Sequence, residues 1–141
     1  MTSRQPPKKR KIEEKEDITN LYFGADFEDA EAMLNAEVKV IIDSINEEKD
    51  LDMSDWSELM QNTTSYVSTF GRFQDKTSIA TCKQELVELG CHTFEAACFG
   101  NLQPANADEA KRLIPSLTRF TDDAVEMMCQ CVQRVKDVHD N

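Results

Sequence analysis

No glycine or proline stands between Gly24 and Gly71. A stretch of that length without either residue lacks the punctuation a turn-rich β-sandwich needs, and it favours long helices. The apolar residues inside it agree. Ala30, Met33, Leu34, Val38, Ile41, Ile42 and Ile45 recur at i, i+3, i+4, i+8, i+11, i+12 and i+15, one stripe of a helix that the spacing predicts over 28–45. Asp26, Glu28 and Asp29 stand where acids complement a helix N-terminus. The acidic stretch 46–52 then breaks the pattern and reads as an exposed loop.

The remainder repeats the same grammar. Ser54 can cap a second helix, with Asp55 and Glu58 in its first turn. Trp56, Leu59, Met60, Thr63, Tyr66 or Val67, Phe70 and Phe73 give that helix a broad apolar face. Tyr66, Phe70 and Phe73 could be a base-stacking platform, but their helical spacing and the missing basic surround read as core. A third helix is expected over 76–89, carrying Ile79, Cys82, Leu86 and Leu89, started by Asp75 or Thr77 and closed by Gly90. Thr93 can cap a short helix bearing Phe94, Ala97 and Cys98, and Pro104 marks the next loop. Asn106 and Glu109 approximate a capping box for a helix that Pro115 stops at Ile114. Thr121, followed by Asp122 and Asp123, opens the last helix, with Val125, Met128, Cys129, Val132 and Val135 as its stripe. The expectation is all-α: six helices, several short, in one bundle. A chain of 141 residues is one domain's worth.

Charge narrows the function classes. Six of the 16 Lys and Arg lie in 1–17 against four of the 27 acids, so the rest of the chain holds 10 against 23, a formal −13. Affinity for nucleic acid comes largely from Lys and Arg displacing counterions. A body this acidic is therefore not expected to grip DNA or RNA alone. No apolar run approaches the roughly 18 residues of a membrane span, and no signal peptide is evident, so a soluble intracellular protein without membrane contact is expected. Five cysteines, an odd number, suggest free thiols in a reducing compartment. Cys129 and Cys131 would point about 200° apart on a helix and cannot share a metal. Cys91-His92 has no second pair at ligand spacing, so buried apolar cysteines are expected and a metal or cofactor is not.

Nothing in the chain reads as catalytic. His139 falls in a terminal tail, and His92, just before a helix, reads as a structural residue satisfying local backbone groups. The four glycines stand too far apart to cradle a phosphate. The acids look like solvated helix faces rather than a converging pair. An enzyme is not expected.

Two segments outside the helices carry binding signals. Residues 1–17 are polar and charged, a tail expected to be disordered. Within it Pro6-Pro7-Lys8-Lys9-Arg10-Lys11 resembles a nuclear import signal, in which Lys8, Lys9, Arg10 and Lys11 would lay alternate side chains into an acidic groove. That places the protein in the nucleus. Leu21, Tyr22 and Phe23 then read as a short strand with no second strand to pair with. Such a segment either packs on the helices as an irregular anchor or adds to the sheet edge of another chain, and the second is the expectation.

From residue 92 the chain runs HTFEAACFGNLQPANADEAKRLIPSLTRF. Phe94-Glu95, Ala97-Cys98, Asn101-Leu102, Glu109-Ala110-Lys111, Leu113-Ile114-Pro115-Ser116-Leu117 and Arg119-Phe120 resemble the family of the fourth subunit of RNA polymerase II. Weaker matches lie upstream at Asn35-Ala36-Glu37-Val38, Arg72-Phe73 and Ile79-Ala80. Thr93 and Phe99-Gly100 depart from the family's usual basic and Leu-Ala pairings.

The resemblance implies a compact multi-helix bundle of the HRDC-like (helicase-and-RNaseD C-terminal) type over 54–138, preceded by a partner-binding arm and helix over 18–46. It implies a non-catalytic stalk subunit of RNA polymerase II, forming a heterodimer with a subunit that carries an oligonucleotide-binding (OB-fold) barrel near the RNA exit channel. That subunit and the core polymerase would be its partners, with RNA reached indirectly through the former, in support of initiation and elongation. Leu21, Tyr22 and Phe23 of the arm and Leu34, Val38, Ile41 and Ile42 of the helix would hold the partner. The alternatives are a stand-alone nuclear HRDC-like module that binds nucleic acid or serves as an adaptor, and the equivalent stalk subunit of another nuclear RNA polymerase.

Overall fold

The computed structural model describes residues 16–73 and 76–139. The basic run Lys8, Lys9, Arg10 and Lys11, and Asp75 as a helix start, lie outside the described residues. The described residues form six α-helices: α1 Asn35–Lys49, α2 Glu58–Phe70, α3 Lys76–Glu88, α4 Thr93–Leu102, α5 Ala107–Leu113 and α6 Asp122–His139. Short 3-10 turns occupy Ile18–Asn20, Ala25–Phe27, Met53–Asp55 and Pro115–Arg119. Among the described residues there is no strand, only an isolated antiparallel bridge between Asp17 and Tyr22. None of the helices there is long and apolar enough to cross a membrane.

The core is built by α3, α4 and α6, closed at one end by α5 and the Pro115–Arg119 turn. Cys82, Leu86, Phe99, Leu117, Val125, Met128 and Val132 are fully enclosed there. Four of the five cysteines are buried and Cys98 is half-buried. Burial pushes the Cys82 and Cys91 thiols up to about 12. Leu34, Ala36 and Phe73 join this core from the α1–α2 hairpin. The rest of α2 packs chiefly on α1.

Helix α1 starts seven residues later than its apolar stripe implies, and the reason lies in the backbone hydrogen bonds of 32–35. Ala32 N–H donates to Thr93 Oγ1 at 3.3 Å, Leu34 N–H to Glu37 Oε1 at 2.9 Å, and Asn35 N–H to Asn101 Oδ1 at 2.9 Å. These bonds hold the segment extended across α4 instead of helical. They also drive Leu34 into the core, against Gly100, where a Cβ would overlap the Leu34 Cδ2 methyl. The absent side chain at Gly100 is therefore the space Leu34 occupies. At the other end α1 runs on to Lys49, through most of the stretch expected as a loop, and ends at Asp50 with φ 49°.

The remaining caps follow the sequence with two shifts. Ser57, not Ser54, caps α2 by accepting the Met60 N–H at 3.2 Å. Trp56 precedes that helix and donates from Nε1 to Asn46 Oδ1 at 2.7 Å, pinning the α1–α2 turn. His92, not Thr93, caps α4 through Nδ1, which accepts the Phe94 N–H at 3.0 Å. The Thr93 hydroxyl is left to hold Ala32. Asn106 and Thr121 cap α5 and α6 as expected, and Gly90 closes α3 at φ 106°.

Candidate partner-binding surface

The arm ahead of α1 is a folded-back turn. Asp17 and Tyr22 exchange both backbone hydrogen bonds, at 2.7 and 2.9 Å, around the Ile18–Asn20 turn. The Asn20 side chain donates to Asp17 Oδ2 at 2.6 Å, and Leu21 sits in the left-handed region at φ 59°. Leu21, Tyr22 and Phe23 thus form no extended strand here. Phe23 serves as the anchor: its ring lies 4.8 Å from Phe94 and 5.8 Å from His92, both at the start of α4. All three arm residues are half-buried. Beside them lies a cavity of about 330 Å³, lined by Ile18, Phe23, Phe27, Ala30, Ala32 and Phe94, with Glu16 and Glu31 at its polar side.

The platform under the arm is rigidly held. Glu95, fully buried on α4, accepts from Nη1 and Nη2 of the Arg119 guanidinium at 2.6 Å, from the Ser116 hydroxyl at 2.5 Å and from the His92 N–H at 2.9 Å. Burial alone would raise its carboxyl pKa, but these donors outweigh the desolvation and hold it below the usual carboxylate range. This cluster fixes the Pro115–Arg119 turn, against which the Ile18–Asn20 turn of the arm packs. A second cluster fixes the entry to α1. Lys83 donates to Glu31 at 2.7 Å, to Glu37 at 3.2 Å and to the Ala32 carbonyl at 3.0 Å.

The four expected contact residues of α1 divide. Leu34 and Ile42 are buried within the chain, Val38 is half-buried, and Ile41 is exposed. Ile41 lines a shallow groove of about 170 Å³ with Val40, Ile79 and Ala80. The outer face of α2 is the feature that sequence reasoning missed. Leu59, Tyr66 and Phe70, expected in the core, are exposed, and only Val67 and Phe73 of that stripe are buried. The Tyr66 and Phe70 rings lie 4.7 Å apart on the surface. A signal was present, because no charged residue occurs from Leu59 to Gly71 in a chain that is 30% charged.

Among the described residues no group of three His, Cys, Asp or Glu is placed to hold a metal ion. The chemistry available to this surface is apolar and aromatic contact on an acidic body, that is, association with another macromolecule.

The family model for RNA polymerase Rpb4 matches residues 32–136. The chain is 33% identical over 139 residues to the DNA-directed RNA polymerase II subunit rpb4 of Dictyostelium discoideum, covering 84% of this chain and 88% of that protein. It is 30% identical over 111 residues to the subunit of the same name from Schizosaccharomyces pombe, covering 77% and 82%. It is 26% identical over 132 residues to DNA-directed RNA polymerase II subunit 4 of Arabidopsis thaliana, covering 88% and 96%.

Proposed function

The chain belongs to the RNA polymerase Rpb4 family, and we propose that it works as a non-catalytic stalk subunit of RNA polymerase II. In this reading it pairs with a subunit carrying an OB-fold barrel near the RNA exit channel, acts in the nucleus, and supports initiation and elongation. RNA is reached through that partner, because the acidic body of this chain repels phosphate. The carrying observation is the match along the helical bundle to relatives that are RNA polymerase II subunits. The exposed Ile41 and the half-buried arm support it, since both offer apolar contact to another chain.

The arm gives the reading a physical shape. The turn is closed by one bridge, and its apolar residues are only half-buried. Uptake of Leu21, Tyr22 and Phe23 by the sheet edge of the partner would exchange that bridge for a ladder. Affinity purification of the tagged chain from nuclear extract, followed by mass spectrometry, tests the proposal. Recovery of a barrel-bearing subunit with the large RNA polymerase II subunits is the expected result. Recovery of another polymerase's large subunits, or of none from a folded protein, would overturn it.

A further inference from the structure

We propose that the partner-binding surface extends from α1 across the outer face of α2, where Leu59, Tyr66 and Phe70 receive an apolar patch of the barrel-bearing subunit; this rests on the functional reading above. The argument begins with how the two helices pair. Gly71 lies against Ala36, whose Cα is 3.4 Å from where a glycine Cβ would stand, and Trp56 bonds Asn46 at 2.7 Å, so α1 and α2 run antiparallel. Ile42 and Val67 are buried yet stand outside the central core cluster. Since α2 packs chiefly on α1, these two are the positions that face inward between the helices.

Each residue turns a helix by about 100°. In an antiparallel pair, the residue preceding each inward-facing position falls on the same side of the pair. Those residues are Ile41 and Tyr66. Leu59 and Phe70 lie within about 40° of the direction of Tyr66. Ile41, Leu59, Tyr66 and Phe70 therefore share one face of the hairpin, and they are 45%, 75%, 55% and 46% exposed.

Composition marks this face as an interface rather than ordinary surface. An exposed helix in a chain so rich in charge should carry charged side chains on its outer face. The stretch from Leu59 to Gly71 carries none, and its exposed polar positions are Asn62, Ser65, Ser68 and Thr69. The comparable uncharged run along α4 is explained by burial of Ala96, Ala97, Phe99 and Gly100, an explanation α2 lacks. Charge depletion with exposed aromatics is the signature of an interface centre. The occupant is the barrel-bearing subunit because the stripe continues from Ile41, already in the proposed contact set. A second copy would bring another body of formal charge −13, and nucleic acid would find no Lys or Arg on α2. Asp52, Asp55 and Glu58, exposed at one end of the stripe, require the partner's patch to be basic along that rim.

The test uses the full chain and the barrel-bearing subunit recovered with it, titrated by calorimetry. Tyr66→Asp/Phe70→Asp should weaken binding at least 100-fold while circular dichroism still reports a folded chain. Leu59→Asp, at the most exposed of the apolar positions, is the control for folding and should weaken binding at least tenfold. Unchanged affinity in both variants overturns the inference while leaving the functional reading intact. Failure of the wild-type chain to bind any such subunit overturns the functional reading and this inference with it. Loss of self-association by the variants with unchanged partner affinity assigns the face to a second copy instead, and also overturns it.

Discussion

The side chain of Leu34 fills the space that a Cβ on Gly100 would need. One residue arrives from the segment leading into α1 and the other lies inside α4, so this contact sets how closely the N-terminal hairpin approaches the core. Gly100→Ala should gain about 1 kcal/mol in helix propensity. It should lose about 1–3 kcal/mol to overpacking, because Leu34 is buried and cannot swing away. The net expectation is a lower melting temperature. With Leu34→Ala in place the clash is gone, and Gly100→Ala should become neutral or stabilising. A double-mutant cycle by denaturant unfolding reads the reversal.

Glu95 and Arg119 give stability a defined dependence on pH. The folded carboxyl titrates below its unfolded value of about 4.3. Its contribution is therefore full at neutral pH and is lost as pH falls through the folded value. Arg119→Met strands the buried carboxylate and should cost about 3 kcal/mol at pH 7. That is the lower end of the range for such pairs, because the arginine side chain is 41% exposed and solvent screens it. In the variant the carboxyl should titrate above its unfolded value, so protonation relieves the penalty. The gap to wild type should close between pH 7 and pH 4. A gap that stays constant in urea titrations over that range would show that Glu95 is not its source.

Neighbouring isoleucines on α1 should behave oppositely. Ile42→Ala empties a buried site and should cost about 2–4 kcal/mol of stability. Ile41→Asp acts at the surface and should change stability by about 0.5 kcal/mol or less, while weakening partner binding at least tenfold. Thermal melts paired with binding titrations separate the two. Equal destabilisation by both would mean that Ile41 belongs to the chain's own packing.

Much of this fold was legible in the sequence because its helices are amphipathic and several carry side-chain caps. Asn106, Thr121, Gly90 and Pro115 act where local chemistry places them, and α3 and α6 present their stripes inward. The misreadings share one cause. An apolar stripe says that a face is covered, not by what. Ala30, Met33 and Leu34 fit the helical stripe of α1, yet Thr93, Glu37 and Asn101 take the backbone donors of 32–35 and hold that segment extended. Tyr66 and Phe70 have core spacing, yet α2 sits at the edge of the bundle with that stripe turned outward. Leu34, Val38, Ile41 and Ile42 looked alike as contact residues until the packing of α1 divided them. Long-range contacts decide each of these, and no local pattern encodes them.

The cysteines offer a check on the core itself. Burial raises the Cys82 and Cys91 thiols to about 12 and those of Cys98, Cys129 and Cys131 to about 11. Alkylation and disulfide exchange need the thiolate, so at pH 8 the native chain should react slowly at its four buried thiols. Cys131 is further restrained: its thiol donates to Glu85 at 2.7 Å, and ionisation would set two negative charges together beside Arg134. Cys98, half-buried, should label first. Timed labelling with a thiol reagent should show at most one fast equivalent in the native state and five in urea. Cys98→Ser should remove the fast phase. Fast labelling at Cys131 instead would mean that the contact between α3 and α6 opens readily and that the Glu85 bond does not hold it closed.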